Sequence, residues 1–238
     1  MRIVHGSDWH GFPRRCPEAD LYIFTGDMLD NFPIGRFDER GRMIDWPKIV
    51  PDHERVEQAK QVRQFVQNGG MRRYLGSPDA PIVCVRGNHD FIDLARMFEG
   101  CNLVHEFVDN EVIQVGEYKI TGHRGIPYIY GGWNDEVAKA DLKDRYRAMP
   151  MADIYVTHYP PYGILDSSDT PDTDPPPGQS RYMDPEHYGL EGLGDFLLYR
   201  GARALHCFGH VHEYGGMKQK HGAVWFSNAA CNVNEIDF

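Results

Sequence analysis

The stretch that decides the fold is residues 1–31, MRIVHGSDWHGFPRRCPEADLYIFTGDMLDN. It holds two apolar runs, at residues 2–5 and 21–25, and such runs predict buried strands. Directly after these runs come Ser7-Asp8-Trp9-His10 and Gly26-Asp27. Polar groups in those positions lie at the carboxyl ends of the strands, where α/β sheets form their ligand clefts.

The same arrangement recurs further along the chain. More strands are predicted at residues 81–86, 112–115, 118–121, 153–157, 204–208 and 223–226. Three of these strands are followed by GNHD at 87–90, TH at 157–158 and GHVH at 209–212. Helical periodicity is found at residues 54–67, 135–148 and 190–200. Strands that alternate with helices predict an α/β domain.

Composition narrows the range of partners. The net charge is −10, which disfavours nucleic acid because binding to a long polyanion requires a basic face. The sequence contains no apolar run long enough to span a bilayer, so we expect no membrane partner. We expect one domain over residues 1–238, with a Pro- and Asp-rich loop at about 166–180. The sequence makes no prediction of an oligomeric state.

Cysteine usage and the N-terminus bear on localisation. The five cysteines are odd in number, and no CxxC pair occurs among them. This pattern favours neither a disulfide framework nor a thiolate zinc site. The N-terminus reaches Asp8 too early to contain a signal peptide. We therefore expect a reducing, cytoplasmic environment.

The polar residues at the strand ends are all of types that bind divalent cations. They are Asp8, His10, Asp27, Asn88, His158, His210 and His212. Carboxylate, amide oxygen and imidazole donors suit manganese, iron or zinc. Seven donors exceed the needs of one tetrahedral ion, whereas two ions about 3.5–4 Å apart that share a carboxylate would use them all.

The motifs DWH, GDMLD, GNHD, THYPP and GHVH, in this order between residues 8 and 212, resemble those of the calcineurin-like metallophosphoesterase superfamily. Three further stretches, THYPPYG at 157–163, GHVHE at 209–213 and NAA at 228–230, are similar to its MPPED (UPF0046-like) branch. The resemblance implies a fold of two mixed β-sheets packed as a sandwich and flanked by helices.

The resemblance also implies a role for each motif residue. It assigns the first metal ion to Asp8, His10, Asp27 and His212. It assigns the second ion to Asp27, Asn88, His158 and His210, with Asp27 as the bridge. His89 would protonate the leaving alkoxide or steady the phosphate, and Asp30 matches the carboxylate that orients His89.

One departure from the family pattern concerns the residue after GDMLD. The protein phosphatases carry an arginine there, and this chain carries Asn31, which argues against a phosphoprotein phosphatase. Asn88 and His89 would also contact the substrate. Arg124 is a further candidate for binding its phosphate, with a surface ion pair as the favoured alternative.

The function expected from these residues is hydrolysis of a phosphate ester, with a phosphodiesterase acting on a small or nucleotide-like substrate as the leading hypothesis. A phosphomonoesterase and a nuclease are the alternative enzymes. A metal-binding interaction module without catalysis is the alternative from another class. The complete donor set and His89 argue against that module.

Overall fold

The computed structural model describes residues 1–40, 43–129, 131–168, 186–200 and 203–238. The strands are β1 Arg2–Ser7, β2 Leu21–Phe24, β3 Ile34–Phe37, β4 Met43–Lys48, β5 Ile82–Cys84, β6 Val104–Glu106, β7 Glu111–Val115, β8 Tyr118–Gly122, β9 Ile126–Pro127, β10 Glu136–Val137, β11 Ile154–Val156, β12 Ser167–Ser168, β13 Glu186–His187, β14 Ala204–Phe208, β15 Lys218–His221, β16 Val224–Asn228 and β17 Asn232–Asp237. The helices are α1 Pro51–Gln67, α2 Lys139–Ala148 and α3 Leu193–Tyr199, with short 3₁₀ segments at Met71–Arg73, Leu94–Phe98 and His212–Tyr214.

Two mixed sheets dominate the structure. The first has the order β17-β1-β2-β5-β6, in which β17 is antiparallel to β1 and the other neighbours are parallel. The second has the order β15-β16-β14-β11-β8-β7, with four parallel central strands and antiparallel edges. The carboxyl ends of the parallel strands therefore lie along one edge of each sheet.

The two sheets pack face to face. Ile3 and Ile23 of the first sheet lie in one buried cluster with Ile154, Val156 and Leu205 of the second. Because successive strand residues point to opposite faces, Val4 and Tyr22 point to the other side of the first sheet. There they pack against α1 and the nearby 3₁₀ segment, while α2 and α3 cover the outer face of the second sheet. The predicted sandwich of two mixed sheets flanked by helices is confirmed.

Helix α1 differs from its prediction in the face that it buries. The spacing of four apolar residues predicts an inward face made of Val56, Ala59, Val62 and Val66. Val62 is buried, but Val56 is 53% exposed, and the other fully buried side chains are Glu54 and Gln58. The polar side of the helix is turned inward because Glu54 and Gln58 bind backbone groups of the loops after β2 and β5.

The predicted loop at about 166–180 lies largely outside the described residues, and the prediction of a single domain stays a prediction. Asp166 is described and buried, and its carboxylate accepts hydrogen bonds from His187 Nδ1 at 2.9 Å and from the Gly189 N–H at 3.1 Å. It therefore anchors the start of this segment. None of the helices in the described part of the chain has the length and apolar content that a membrane span requires.

Candidate metal centre

The predicted donors follow the carboxyl ends of β1, β2, β5, β11 and β14, on turns with unusual backbone conformations. Four of them have positive φ: Asp8 (55°), His10 (43°), Asp27 (53°) and His210 (69°). Non-glycine residues rarely adopt this region, and each costs on the order of 1–3 kcal/mol. Such conformations concentrate at functional sites, and here they turn the side chains toward one another.

The first group of donors is Asp8, His10 and His212, whose candidate ligand atoms lie within 4.8 Å of one another. His212 Nε2 is 3.3 Å from Asp8 Oδ1 and 3.4 Å from His10 Nε2. The hydrogen bond to Asp8 raises the pKa of His212 to about 11, and a hydrogen bond to Cys231 adds to this effect. Two imidazole nitrogens and a carboxylate therefore face the same small volume.

The second group is Asp27, His158 and His210, which meet the same 4.8 Å criterion. Asn88 completes it, because its Oδ1 is 3.0 Å from His158 Nε2 and 3.1 Å from His210 Nδ1. His158 Nε2 is also 3.2 Å from Asp27 Oδ2. Asp27 in addition forms a cluster with His10 and His89. Its carboxylate therefore lies between the two groups of donors.

This donor set fits divalent cations. The His158 ring is buried, and its Nδ1 donates to the Thr25 carbonyl oxygen at 2.6 Å. In its neutral form, the ring would therefore direct the Nε2 lone pair at the oxygens of Asp27 and Asn88. Burial disfavours a charge on His158, but the Asp27 carboxylate outweighs it and raises the pKa of His158 to about 9. Either a proton or a cation must separate these lone pairs.

Two glycines allow the loops to approach the carboxylates. A Cβ atom on Gly87 would lie 2.1 Å from Asp27 Oδ1, and one on Gly209 would lie 2.1 Å from Asp8 Oδ2. Neither position has room for a side chain. The glycines of GNHD and GHVH are therefore required by close packing against the Asp27 and Asp8 carboxylates.

Asp90 organises the turn around Asp27 and was missed by the sequence analysis. Its buried carboxylate accepts the N–H groups of Asp27 (2.6 Å), Met28 (3.0 Å), Leu29 (3.0 Å) and Gly87 (3.0 Å). Burial raises the pKa of Asp90 to about 7, with the nearby charge of Asp27 acting in the same direction. Asp90 thus joins the loops after β2 and β5. The one sequence feature that points to a role for Asp90 is its position as the last residue of the GNHD motif.

Glu54 and Gln58 of α1 support the same loops from the other side. The Phe32 N–H donates to both oxygens of the Glu54 carboxylate, at 3.0 Å to Oε1 and 2.9 Å to Oε2. Gln58 Nε2 donates to the carbonyl oxygens of Asp30 at 3.0 Å and His89 at 2.6 Å. Both side chains are fully buried, so helix α1 holds the two loops through paired polar groups.

His89 lies beside the donors with its ring held on several sides. Its Nε2 is 3.9 Å from Asp27 Oδ2, and Trp133 packs against the ring with centroids 4.3 Å apart. Its Nδ1 contacts Asn31 Oδ1. Asn31 Nδ2 donates to Glu54 Oε2 and to the His89 carbonyl oxygen, both at 3.2 Å, which directs the amide oxygen at the ring. Burial lowers the pKa of His89.

The orienting role that the resemblance implies for Asp30 stays a prediction. Among the described residues, no hydrogen bond joins the Asp30 side chain to His89. The carboxylate accepts the Asn31 N–H at 2.9 Å instead. The side chain in contact with the His89 ring is Asn31, because α1 fixes the Asn31 amide through Glu54.

His5, His206 and Arg124 lie outside the groups of donors. His5 and His206 are buried core residues. The His5 ring bonds the hydroxyls of Thr25 and Ser227, and His206 Nε2 bonds the hydroxyl of Thr157. Arg124 Nε lies 3.7 Å from Asp135 Oδ2 and forms an ion pair. A direct role for Arg124 in phosphate binding stays a prediction.

A cleft of about 810 Å³ opens beside the candidate centre. It is lined by His10, Asp30, Asn31, Pro33, Lys48, Ile49, His89 and Trp133. His10 and His89 form its boundary with the cluster of donors. The space next to the donors is therefore open to a small molecule.

Together, the fold and the donor set define a candidate centre for divalent cations at the carboxyl ends of the parallel strands. The sequence model of the calcineurin-like phosphoesterase family matches residues 1–214, and the chain belongs to that family. This confirms the resemblance inferred from the motifs. Enzymes of this family act on phosphorylated substrates, so the chain is a hydrolase of phosphate esters.

Two curated relatives are the metallophosphoesterase domain-containing protein 1 of Homo sapiens and that of Mus musculus. Each is 24% identical to this chain over 98% of the chain and 67% of the relative. Their name is that of the branch that the motifs resemble. Among solved structures, the phosphopantetheinyl hydrolase PptH from Mycobacterium tuberculosis is similar with a TM-score of 0.44 and 14% identity, covering 98% of this chain and 95% of the other.

Proposed function

We propose that the chain is a phosphodiesterase that acts on a small substrate. Catalysis would use two divalent cations bound by the protein, which would be manganese, iron or zinc. One ion would be held by Asp8, His10, Asp27 and His212. The other would be held by Asp27, Asn88, His158 and His210. The observation that carries the proposal is the convergence of these side chains with the Asp27 carboxylate between the two groups.

The chemistry of hydrolysis follows from this arrangement. When bound, such ions lower the pKa of a coordinated water toward about 7 and neutralise phosphate oxygens. The residues of the chain have separate tasks. His89 would give the Nε2 proton of its doubly protonated imidazolium form to the leaving alkoxide, while its Nδ1–H donates to Asn31 Oδ1. Trp133 and His10 pack against the His89 ring and hold it in place.

The preference for diesters is supported by the charges of the cleft. Among its lining residues, Lys48 is the one lysine or arginine, and the Asp30 carboxylate opposes it. Arg124 is paired with Asp135. A monoester carries close to two negative charges near neutral pH and a diester carries one. Apart from the two cations, the side chains of the cleft thus offer little to balance the second charge.

Kinetics with two matched chromogenic substrates test this function. Bis(4-nitrophenyl) phosphate and 4-nitrophenyl phosphate share a leaving group and differ in charge. With manganese, iron or zinc added singly, we expect a higher kcat/KM for the diester with at least one of the metals. Equal or faster hydrolysis of the monoester with every metal would contradict the preference for diesters. Hydrolysis of neither substrate would contradict the phosphodiesterase activity as well.

The cellular compartment of the enzyme is a separate part of the proposal. All five cysteines are unpaired, and Cys16, Cys84 and Cys207 are buried as free thiols. Free thiols persist in reducing compartments. We therefore place the enzyme in the cytoplasm. A disulfide in the protein isolated from its native source would contradict this placement.

A further inference from the structure

The cleft beside the candidate centre has a position, a size and a lining that point to one part of the substrate. Its volume of about 810 Å³ falls in the range of small-molecule sites, which is about 300–1,000 Å³. We propose that the cleft binds the leaving alcohol of a phosphodiester and selects alcohols that are flat, apolar and uncharged. This inference rests on the proposed function and deepens it.

The position of His89 decides which ester group enters the cleft. His89 lines the cleft, and its Nε2 is 3.9 Å from Asp27 Oδ2, at the boundary with the donors. A proton donor must lie within hydrogen-bonding distance of the oxygen that it protonates. The leaving oxygen therefore lies at His89, and its substituent extends into the cleft. The spectator ester group lies away from this side.

The reaction step balances with water as the only other reactant. The oxygen of a water molecule forms a bond to phosphorus, and the bond from phosphorus to the leaving oxygen breaks. The leaving oxygen takes the Nε2 proton of the His89 imidazolium and departs as the alcohol. The proton lost by the attacking water restores His89 through the solvent. The products are one alcohol and one phosphate monoester.

The lining accounts for the selectivity. Pro33, Ile49 and Trp133 supply apolar surface, and an indole ring binds flat groups by stacking. Lys48 and Asp30 carry opposite charges, so the lining away from the two histidines offers no net charge to a phosphorylated or cationic alcohol. An alcohol without charge and with a flat apolar body matches this surface best.

Benzyl methyl phosphate tests the inference within a single molecule. Its two alcohols have similar acidity, so chemistry alone gives little preference for either leaving group. Phosphorus NMR distinguishes the two products, methyl phosphate and benzyl phosphate. With manganese-loaded enzyme we expect methyl phosphate to exceed benzyl phosphate by about tenfold, a typical discrimination by an apolar pocket. This ratio does not depend on metal content or on the active fraction of the sample.

Two variants probe the cleft, and a third serves as the control. Trp133→Ala and Ile49→Ala should each move the product ratio several-fold toward one, and the second variant covers any loss of folding in the first. Trp225→Ala is the matched control, because Trp225 is 38% exposed on β16, stacks with Lys220 at 5.6 Å and is not part of the lining. It should leave the ratio unchanged.

The outcomes separate this inference from the proposed function. A wild-type ratio near one, or in favour of benzyl phosphate, would overturn the assignment of the cleft while diester hydrolysis stands. The same holds if neither Trp133→Ala nor Ile49→Ala moves the ratio. Hydrolysis of the chromogenic diester without any hydrolysis of benzyl methyl phosphate would overturn this inference alone. Hydrolysis of neither ester by the metal-loaded wild type would overturn the proposed function and this inference with it.

Discussion

Substitution of Gly87 by alanine tests how tightly the Asp27 carboxylate is placed. The new Cβ would lie 2.1 Å from Asp27 Oδ1 and 2.7 Å from the Asp27 backbone nitrogen, whereas real Cβ atoms essentially never come closer than 3.0 Å. The carboxylate must therefore move by about 1 Å. A misplacement of about 1 Å at a reacting site can cost about 10²-fold in rate. We expect a loss of that size in kcat/KM together with loss of at least one metal ion per chain.

The assay combines elemental analysis of the manganese-loaded protein with diester kinetics, and circular dichroism confirms the fold. Gly194→Ala is the matched control, because its Cβ in α3 would meet only the end of the Ile164 side chain at 3.3 Å and the Pro161 Cβ at 3.6 Å. It should keep both the metals and the rate. A folded Gly87→Ala protein with two metals and wild-type turnover would refute the placement of Asp27 between the two groups.

Three further predictions concern protons. The His89→Ala variant should keep its metals and lose about 10²–10⁴-fold in rate for esters with poor leaving groups, and much less for nitrophenyl esters. An equal loss for both kinds of ester would exclude proton donation by His89. The pKa values of His158 (about 9) and His212 (about 11) are raised, so both rings carry a proton in the metal-free protein at pH 7.5. Manganese binding should therefore release about two protons, which calorimetry in buffers of different ionisation enthalpy measures. Manganese binding without proton release would contradict this prediction. Three histidines buried in the core have lowered pKa values because of burial: His5 (about 3), His123 (about 4) and His206 (about 3). Below its ordinary pKa of about 6.5, each of these histidines takes up a proton when the protein unfolds. The free energy of unfolding should therefore fall as the pH falls from 6.5 to about 4, by about 1.4 kcal/mol per pH unit for each histidine. Denaturant titrations that show pH-independent stability in this range would contradict the prediction.

The strand ends of the site could be predicted from the sequence because two signals coincide there. Apolar runs identify the strands, and the polar residues after them, such as Asp8 and Asn88, must then lie at the carboxyl ends. Strand β17 was missed because its inward positions include Asn234, so the run lacks an apolar pattern. The pairing of two sheets followed from the family resemblance and not from periodicity.

The supporting side chains could not be predicted in the same way. Glu54 and Gln58 look like the solvated face of a helix, and only the loops that they bind make their burial favourable. The contact between Asn31 and His89 depends on the orientation of one amide, which spacing along the chain does not determine. Hydropathy therefore locates the donors, while hydrogen bonds between distant segments fix their orientation.

The central claim is that Asp27 is shared by two divalent cations. Electron paramagnetic resonance of the manganese-loaded protein, combined with elemental analysis, tests it directly, because two Mn²⁺ ions bridged by one carboxylate give an exchange-coupled spectrum. We predict two manganese ions per chain with a coupled spectrum, loss of both features in Asp27→Asn, and retention of both in the exposed control Asp237→Asn. One manganese per chain, an uncoupled spectrum, or an unchanged spectrum in Asp27→Asn would contradict the claim.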